Sequence, residues 1–458
     1  MSIVRARRES RALSAQPPAA EDTEPGPEPA ASEEGLIPAD KSIFASLKIR
    51  DYALLWSGLV GSAFAMNMQL VAQGWLVYEM TLSALNLAWV TLSFMIPQVV
   101  FALVGGVLAD RLRKRQVILY GQALNGVATL FMAIIVLTGN VSFWDFIWVG
   151  FLNGTLLALS MPARTAFIPE IVGEPLMFNA MAFSTGAWNL SRILGPAAAG
   201  FLIAVFAGGD TTSHFGVGLV YLVLSVLYIV SSVTVLFMRH TGKPARRRAA
   251  TGPVRDVIDG IDYARRSPIV GGLILLSIVP FLFGMPINTL MPAFNTDVMQ
   301  GGPDDLGLLM TAMGVGAILG SLLLAKMGAL RHKGIWLFLT CFLWGGTVAA
   351  CGLPDTAFWA MTAVGAVGFM SAVNMSMNRT IVTLQVSPVM RGRVMSIDMM
   401  SHGLMPLGIL PISYIAQAVS VQVAFIVSGV LLSLITVGLW FWLREVRGID
   451  QGFAVHSD

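Results

Sequence analysis

The sequence predicts an all-α polytopic membrane protein, with twelve transmembrane helices in two six-helix pseudo-repeats. Three observations carry this. Twelve long apolar segments follow one another along 458 residues, basic residues fall almost wholly in alternate gaps between them, and the two halves share a sequence pattern. Composition agrees: 55% of residues are hydrophobic and 12% charged, against about 25% charged in soluble domains.

The segments run at 52–78, 84–109, 116–138, 142–163, 176–206, 216–238, 269–293, 304–325, 334–353, 356–378, 394–418 and 422–443. Each is long enough to cross about 30 Å of hydrocarbon at 1.5 Å per residue. Of the 29 Lys and Arg residues, 28 lie in the two tails or in the gaps after the even-numbered segments, and the remaining gaps hold none. That asymmetry places both termini in the cytoplasm. Apolar helices of a soluble protein would show no such sidedness. The net charge of +3 is small, and its basic clusters suit anionic lipid headgroups better than nucleic acid.

Several segments carry polar residues at helical spacing. The first has Ser62, Met66, Gln69 and Gln73 on one face, and the fifth has Thr185, Trp188, Asn189 and Arg192. Arg192 is the basic residue placed in mid-membrane, where arginine costs about 2.5–3.5 kcal/mol on insertion scales, so it must face water, a partner or a ligand. It can attract an anionic or carbonyl-rich part of a cargo, pair with a neighbouring carboxylate, or cap carbonyls freed by the nearby proline. Gly195, Pro196 and Gly200 form a kink with small flanks that lets another helix come close. In the seventh segment Asn288 lies between Pro286 and Pro292, where broken helix geometry exposes backbone groups; the tenth carries Ser371, Asn374 and Asn378. Each of these amides serves either a helix-to-helix hydrogen bond or a ligand. The expected cavity is moderately polar and poor in fixed charge, suited to amphipathic cargo.

The two cysteines, Cys341 and Cys351, sit on one segment, about 15 Å apart by helical rise, which is too far to bridge. Residues 1–41 begin with a basic run and continue rich in Pro, Ala and acid, with no apolar core of a signal peptide; they read as a disordered cytoplasmic tail. Residues 42–238 and 268–445 form the two six-helix bundles, 239–267 a basic cytoplasmic linker, and 446–458 a cytoplasmic tail. Within the linker, Val254, Ile258 and Ile261 share one face of an amphipathic helix lying on the membrane.

A shift of 215 residues lays Phe101–Arg111 over Gly316–Lys326, matching Ala102, Gly105 and Leu108 to Ala317, Gly320 and Leu323, and also sets Arg164-Thr165 on Arg379-Thr380. Paired repeats imply two similar bundles around a central cavity that opens alternately to either side.

The run from Gly106 through Asp110, Arg111, Arg113, Lys114 and Arg115 resembles the signature loop of the Major Facilitator Superfamily, G-x-x-x-D-R/K-x-G-R/K-R/K, with Arg113 where the family usually has Gly. Arg50–Ser62, Trp75–Val90, Pro162–Val172 and Arg391–Asp398 are similar to the branch holding the enterobactin exporter and related drug or siderophore efflux proteins. The Gly195-Pro196 core resembles the glycine-proline motif of the superfamily's antiporters, with Ser191 and Ala199 where Gly is usual. By this resemblance Gly106, Asp110, Arg111 and Arg115 form a conformational latch, Asp110 meeting the N-terminus of the eleventh helix near Val394, where the helix dipole favours an anion. A solvated charge cluster that sets topology is the alternative.

Asp398 and His402 share a face of the eleventh segment and are the first candidates for a proton site. Alternatively, Asp398 neutralises Arg391 or Arg393. Asp145 and Glu79 are weaker, interfacial candidates. Nothing resembles a phosphate-binding loop, and the five histidines show no metal spacing. The chain is therefore expected to be no enzyme and to need no cofactor or metal. The expected protein is a monomeric inner-membrane transporter that exports a small amphipathic molecule, such as a siderophore or drug-like compound, in exchange for protons. Proton-coupled uptake is the alternative within transport; a non-transporting sensor or lipid scramblase is the alternative outside it.

Overall fold

The computed structural model describes residues 42–207, 214–242, 261–326, 332–353, 356–387, 390, 394 and 402–449. The expected tail 1–41, most of the linker helix, Asp398 and the C-terminal tail from 450 lie outside the described residues, as do the side chains of Asp110 and His402. The described residues form helices and no strand.

Helix α1 (Arg50–Thr81) ends at Leu82 in the left-handed region. Ser83 caps α2 (Ala84–Val100) by accepting from Asn86 N, and α3 (Ala102–Arg111) continues it beyond Phe101. Then come α4 (Lys114–Leu137) and α5 (Phe143–Ala207). The 65 residues of α5 are two helices joined at Gly173, whose φ of 71° and ψ of 172° break the hydrogen-bond ladder. That combination is essentially confined to glycine. The N-terminal helices close with α6 (His214–Leu236).

In the second half, α7 (Pro268–Phe283) and α8 (Pro286–Asp297) are one apolar segment broken at Gly284–Met285, with Pro286 opening the new helix. They are followed by α9 (Pro303–Lys326), α10 (Lys333–Ala350), α11 (Ala357–Gln385), α12 (Met405–Ala418) and α13 (Val421–Trp442). Thr356 and Ser420 cap α11 and α13 through their hydroxyls. Eight described helices, together with α7 and α8 taken as one span, are long and apolar enough to cross a bilayer, and α2 and α12 are shorter apolar helices. Since α5 takes up two of the expected segments, only the eleventh, which runs partly outside the described residues, leaves the count of twelve open.

Two arginines assigned to gaps lie well inside helices, away from their ends. Arg164 stands nine residues before the break at Gly173, and Arg379 lies within α11. Hydropathy falls at Pro162–Arg164, but the helix continues to the residue whose backbone can break it.

The shift of 215 residues has a structural counterpart. A Cβ on Gly105 would lie 2.1 Å from the Ala158 carbonyl oxygen, and one on Gly320 would lie 2.5 Å from that of Phe369 and 3.1 Å from Val373. Val373 is the repeat equivalent of Ala158, so the same close helix crossing occurs in both halves. Large aromatics project from the periphery near helix ends, among them Trp144, Trp148, Phe358 and Trp442, as in the interfacial aromatic belts of membrane proteins.

At the basic end of the N-terminal helices, buried Asp51 accepts from Arg239 N, His240 N and His240 Nδ1 at 3.1, 2.7 and 2.7 Å. This ties the start of α1 to the end of α6. Lys114, also buried, pairs with Glu170 at 2.7 Å. Of the expected amphipathic linker helix, residues 261–266 are described and helical, with Tyr263 and Ala264 against the core and Arg266 paired to Asp262.

Candidate functional site

Among the described residues, two spaces lined in part by polar side chains lie within the helices. The larger is a cavity of about 550 Å³ between the two halves, lined by Asn67, Thr185, Asn189, Arg192 and Pro196 from the first and by Ser277, Asn288, Ser321, Trp344, Ser371, Asn374, Asn378 and Arg379 from the second. Toward one end the lining stops at Pro196, Asn288 and Met310, while Thr185, Ser321 and Arg379 at the other end are exposed. The cavity therefore opens toward the end that carries the basic loops.

Three contacts seal the opposite end. Tyr78, buried on α1, donates its hydroxyl to Asp297 at the end of α8. A Cβ on Gly74 would come within 2.8 Å of Pro292. The second half of α5 crosses α9 so closely that a Cβ on Gly200 would meet the Pro303 carbonyl oxygen at 2.4 Å and Gly307 Cα at 3.0 Å. Gly200 thus lets α9 come close to the second half of α5. Gly195 itself faces Asn67 of α1, and Gly307 faces the Pro196 carbonyl.

Arg192 is exposed to the cavity and makes no hydrogen bond or ion pair among the described residues. It neither caps the carbonyls around Pro196 nor meets a described carboxylate. Asn374 donates to the Leu337 carbonyl and to Thr340 Oγ1 at 3.1 and 3.0 Å. Asn378 donates to the Leu273 carbonyl at 3.3 Å, leaving its own carbonyl oxygen unpartnered. Both amides serve helix packing while bordering the cavity. Asn288 donates to the Met285 carbonyl at 3.2 Å, satisfying the broken turn between α7 and α8.

The second space, a chamber of about 150 Å³, lies inside the N-terminal helices. Gln69, Gln73 and Trp188 line this chamber rather than the central cavity, correcting their expected place. At 100° per residue, Thr185, Asn189 and Arg192 fall within about 60° on the α5 circumference, and Trp188 stands about 40° beyond their edge.

In the expected latch, a Cβ on Gly106 would meet open space, and Arg111 is exposed. Arg115 donates to the carbonyls of Val235 and Leu236 at the end of α6, within its own half. Favourable charge at a helix C-terminus accounts for that contact. His402 opens a short turn before α12. Asp145 accepts from Ser142 N and Oγ, both at 2.8 Å, which makes it a helix-start cap. Cys341 and Cys351 are unbridged and buried.

Sequence reasoning missed Tyr78 and Asp297, which become partners only through a contact 219 positions apart. It also missed Gln122, Asn125 and Asn153, amides inside apolar segments that line the chamber; their intramembrane position was the available signal. The expectation of little fixed charge needs amending as well, because Arg379 joins Arg192 in the cavity with no acid among the lining residues.

Two helical sets about a cavity sealed at one end have the architecture of a Major Facilitator transporter. The chain belongs to the transmembrane secretion effector family of that superfamily, matching it over residues 41–455. It is 24% identical over 408 residues to macrolide efflux protein A of Streptococcus pyogenes, covering 88% of this chain and 98% of the relative. It is also 24% identical over 412 residues to the enterobactin exporter of Shigella boydii, covering 88% and 92%. Among solved structures, a bacterial homologue of the human lysosomal transporter Spinster, inward-facing and occupied, superposes with a TM-score of 0.68 at 15% identity, covering 87% of this chain and 97% of that one. The nucleoside transporter NupG gives 0.67 at 13%, covering 87% and 99%.

Proposed function

We propose that this transporter exports a small amphipathic molecule, of siderophore or drug-like size, in exchange for protons by alternating access, with the basic helix ends and both termini in the cytoplasm. The observation that carries the reading is the 550 Å³ cavity, which lies within the range of about 300–1,000 Å³ for small-molecule sites. It opens at the basic end while Tyr78, Asp297 and the Gly200–Gly307 crossing seal the other. An efflux protein and an exporter among the relatives, each aligned over nearly its whole length, support outward transport.

In this reading Arg192, Thr185 and Asn189 contact cargo from α5, and Asn288, Asn374 and Asn378 border it from the second half. When the cavity turns outward, Asp110 and its loop latch the basic end against the eleventh segment. Asp398 and His402 take up the proton. Purified protein in liposomes with an imposed proton gradient is the test, with a lipophilic dye, a siderophore and labelled lipid as separate probes. Gradient-dependent flux of the dye or siderophore, with proton dependence abolished by His402→Asn, is expected. Lipid movement alone supports a scramblase instead, and absence of any flux supports a sensor.

A further inference from the structure

The chamber inside the N-terminal helices holds an unusual concentration of unpaired polarity. Arg164 Nη1, Gln122 Oε1, Asn125 Oδ1 and Asn153 Oδ1 are all buried without a hydrogen-bond partner, and all four side chains line it. Arg164 is 6% exposed and makes no ion pair among the described residues. Roughly nine in ten buried polar groups in native proteins are paired, and a buried cation without a counter-charge is costlier still. Four such groups around one space mark a place built for a ligand.

We infer that this chamber is a binding site for a small organic carboxylate, with Arg164 as the anion's partner. The guanidinium fork matches a carboxylate in two parallel hydrogen bonds. No acid stands among the lining residues, so none of them supplies the counter-charge. Gln122 lies beside the same end: a Cβ on neighbouring Gly121 would sit 3.2 Å from Ser160, one helical turn before Arg164. Its amide presents a donor to an oxyanion after a half-turn about its last torsion. Asn153 lies about 16 Å from Arg164 by helical rise, beyond the reach of a small acid held there, and Asn125 stands on the opposing helix. A volume of about 150 Å³ equals roughly five waters at about 30 Å³ each, room for a carboxylate and a small ring.

The chamber also borders the central cavity. Asn67 and Leu70 line both spaces, and Trp188 faces the chamber from the helix that carries Arg192 into the cavity. Arg379, the repeat counterpart of Arg164, opens onto the cavity, whereas Arg164 is enclosed. The carboxylate is either the acidic arm of the cargo, in which form the inference rests on the transport reading above, or a free acid bound alongside it.

The test is calorimetric titration of the full-length protein with benzoate, using isosteric, uncharged benzamide as control. Benzoate is expected to bind and benzamide not to bind. Arg164→Gln should weaken benzoate at least tenfold, Arg164→Lys less, and Arg192→Gln little. Ser160→Asp, which supplies an internal carboxylate one turn from Arg164, should abolish benzoate binding without lowering the melting temperature, and it carries the test where Arg164→Gln fails to fold. Equal affinity for benzamide, no benzoate binding, or unchanged affinity in folded Arg164→Gln overturns the assignment. Benzoate that competes with flux of the transported probe identifies the acid as part of the cargo; benzoate that binds without competing identifies a free ligand. If no probe is transported, benzoate binding still stands or falls by the Arg164 comparison.

Discussion

Gly200→Val probes the seal of the cavity most sharply. In the present conformation the added Cβ would lie 2.4 Å from the Pro303 carbonyl oxygen, 3.0 Å from Gly307 Cα and 3.2 Å from Asp304 Cα. All three are backbone atoms, so no side-chain rotation relieves the clash and α5 must move away from α9. Overpacking costs about 1–3 kcal/mol, and the cost falls on the conformation closed at this end. About 2 kcal/mol corresponds to a population shift of roughly 30-fold toward the alternative conformation. Spin labels on two pairs of exposed positions read the change by pulsed electron resonance: Asn140 with Leu353 near the sealed end, and Gln116 with Ala325 near the open end. Cys341 and Cys351 are buried and leave the introduced thiols as the labelling sites. The first distance should lengthen and the second shorten. Lengthening of the first with no change in the second would mean local splaying rather than exchange, and would refute the alternating seal.

Other perturbations separate the parts. Tyr78→Phe removes the hydrogen bond to Asp297, worth about 1 kcal/mol, and should move the same label distances in the same direction by roughly fivefold in population. Arg192→Lys should retain part of the flux if cargo reads only charge, whereas Arg192→Gln should reduce it at least tenfold; initial rates in proteoliposomes decide. Asp51→Asn weakens three hydrogen bonds to a buried carboxylate and should cost about 1–3 kcal/mol of stability, read as a lower melting temperature with cargo affinity unchanged.

Much of the fold is legible because membrane physics writes it plainly: every apolar run has bilayer length, and the basic residues mark one end. Helix limits are less legible. Arg164 and Arg379 look like loop residues because hydropathy falls there, yet α5 continues to Gly173 and α11 to Gln385. The partner helix of the small residues around Pro196 was not readable, since Gly307 lies over a hundred positions away. The polar stripes show that a face is wet without showing which space wets it. Gln69 and Gln73 form as regular a stripe as Thr185, Asn189 and Arg192, but the first pair turns into its own half and the second group toward the partner. The gate formed by Tyr78 and Asp297 leaves no local trace, because it joins two helix ends that only the assembled halves bring together.

The most direct test of the account is the side from which the cavity is reached. Ser321→Cys, on the cavity wall and exposed toward its open end, can be treated with a membrane-impermeant thiol reagent in inverted and in right-side-out vesicles. Labelling should be fast in inverted vesicles, slow in right-side-out vesicles, and reversed in preference by Gly200→Val. Fast labelling from the outer face alone, or a preference that Gly200→Val leaves untouched, would contradict it.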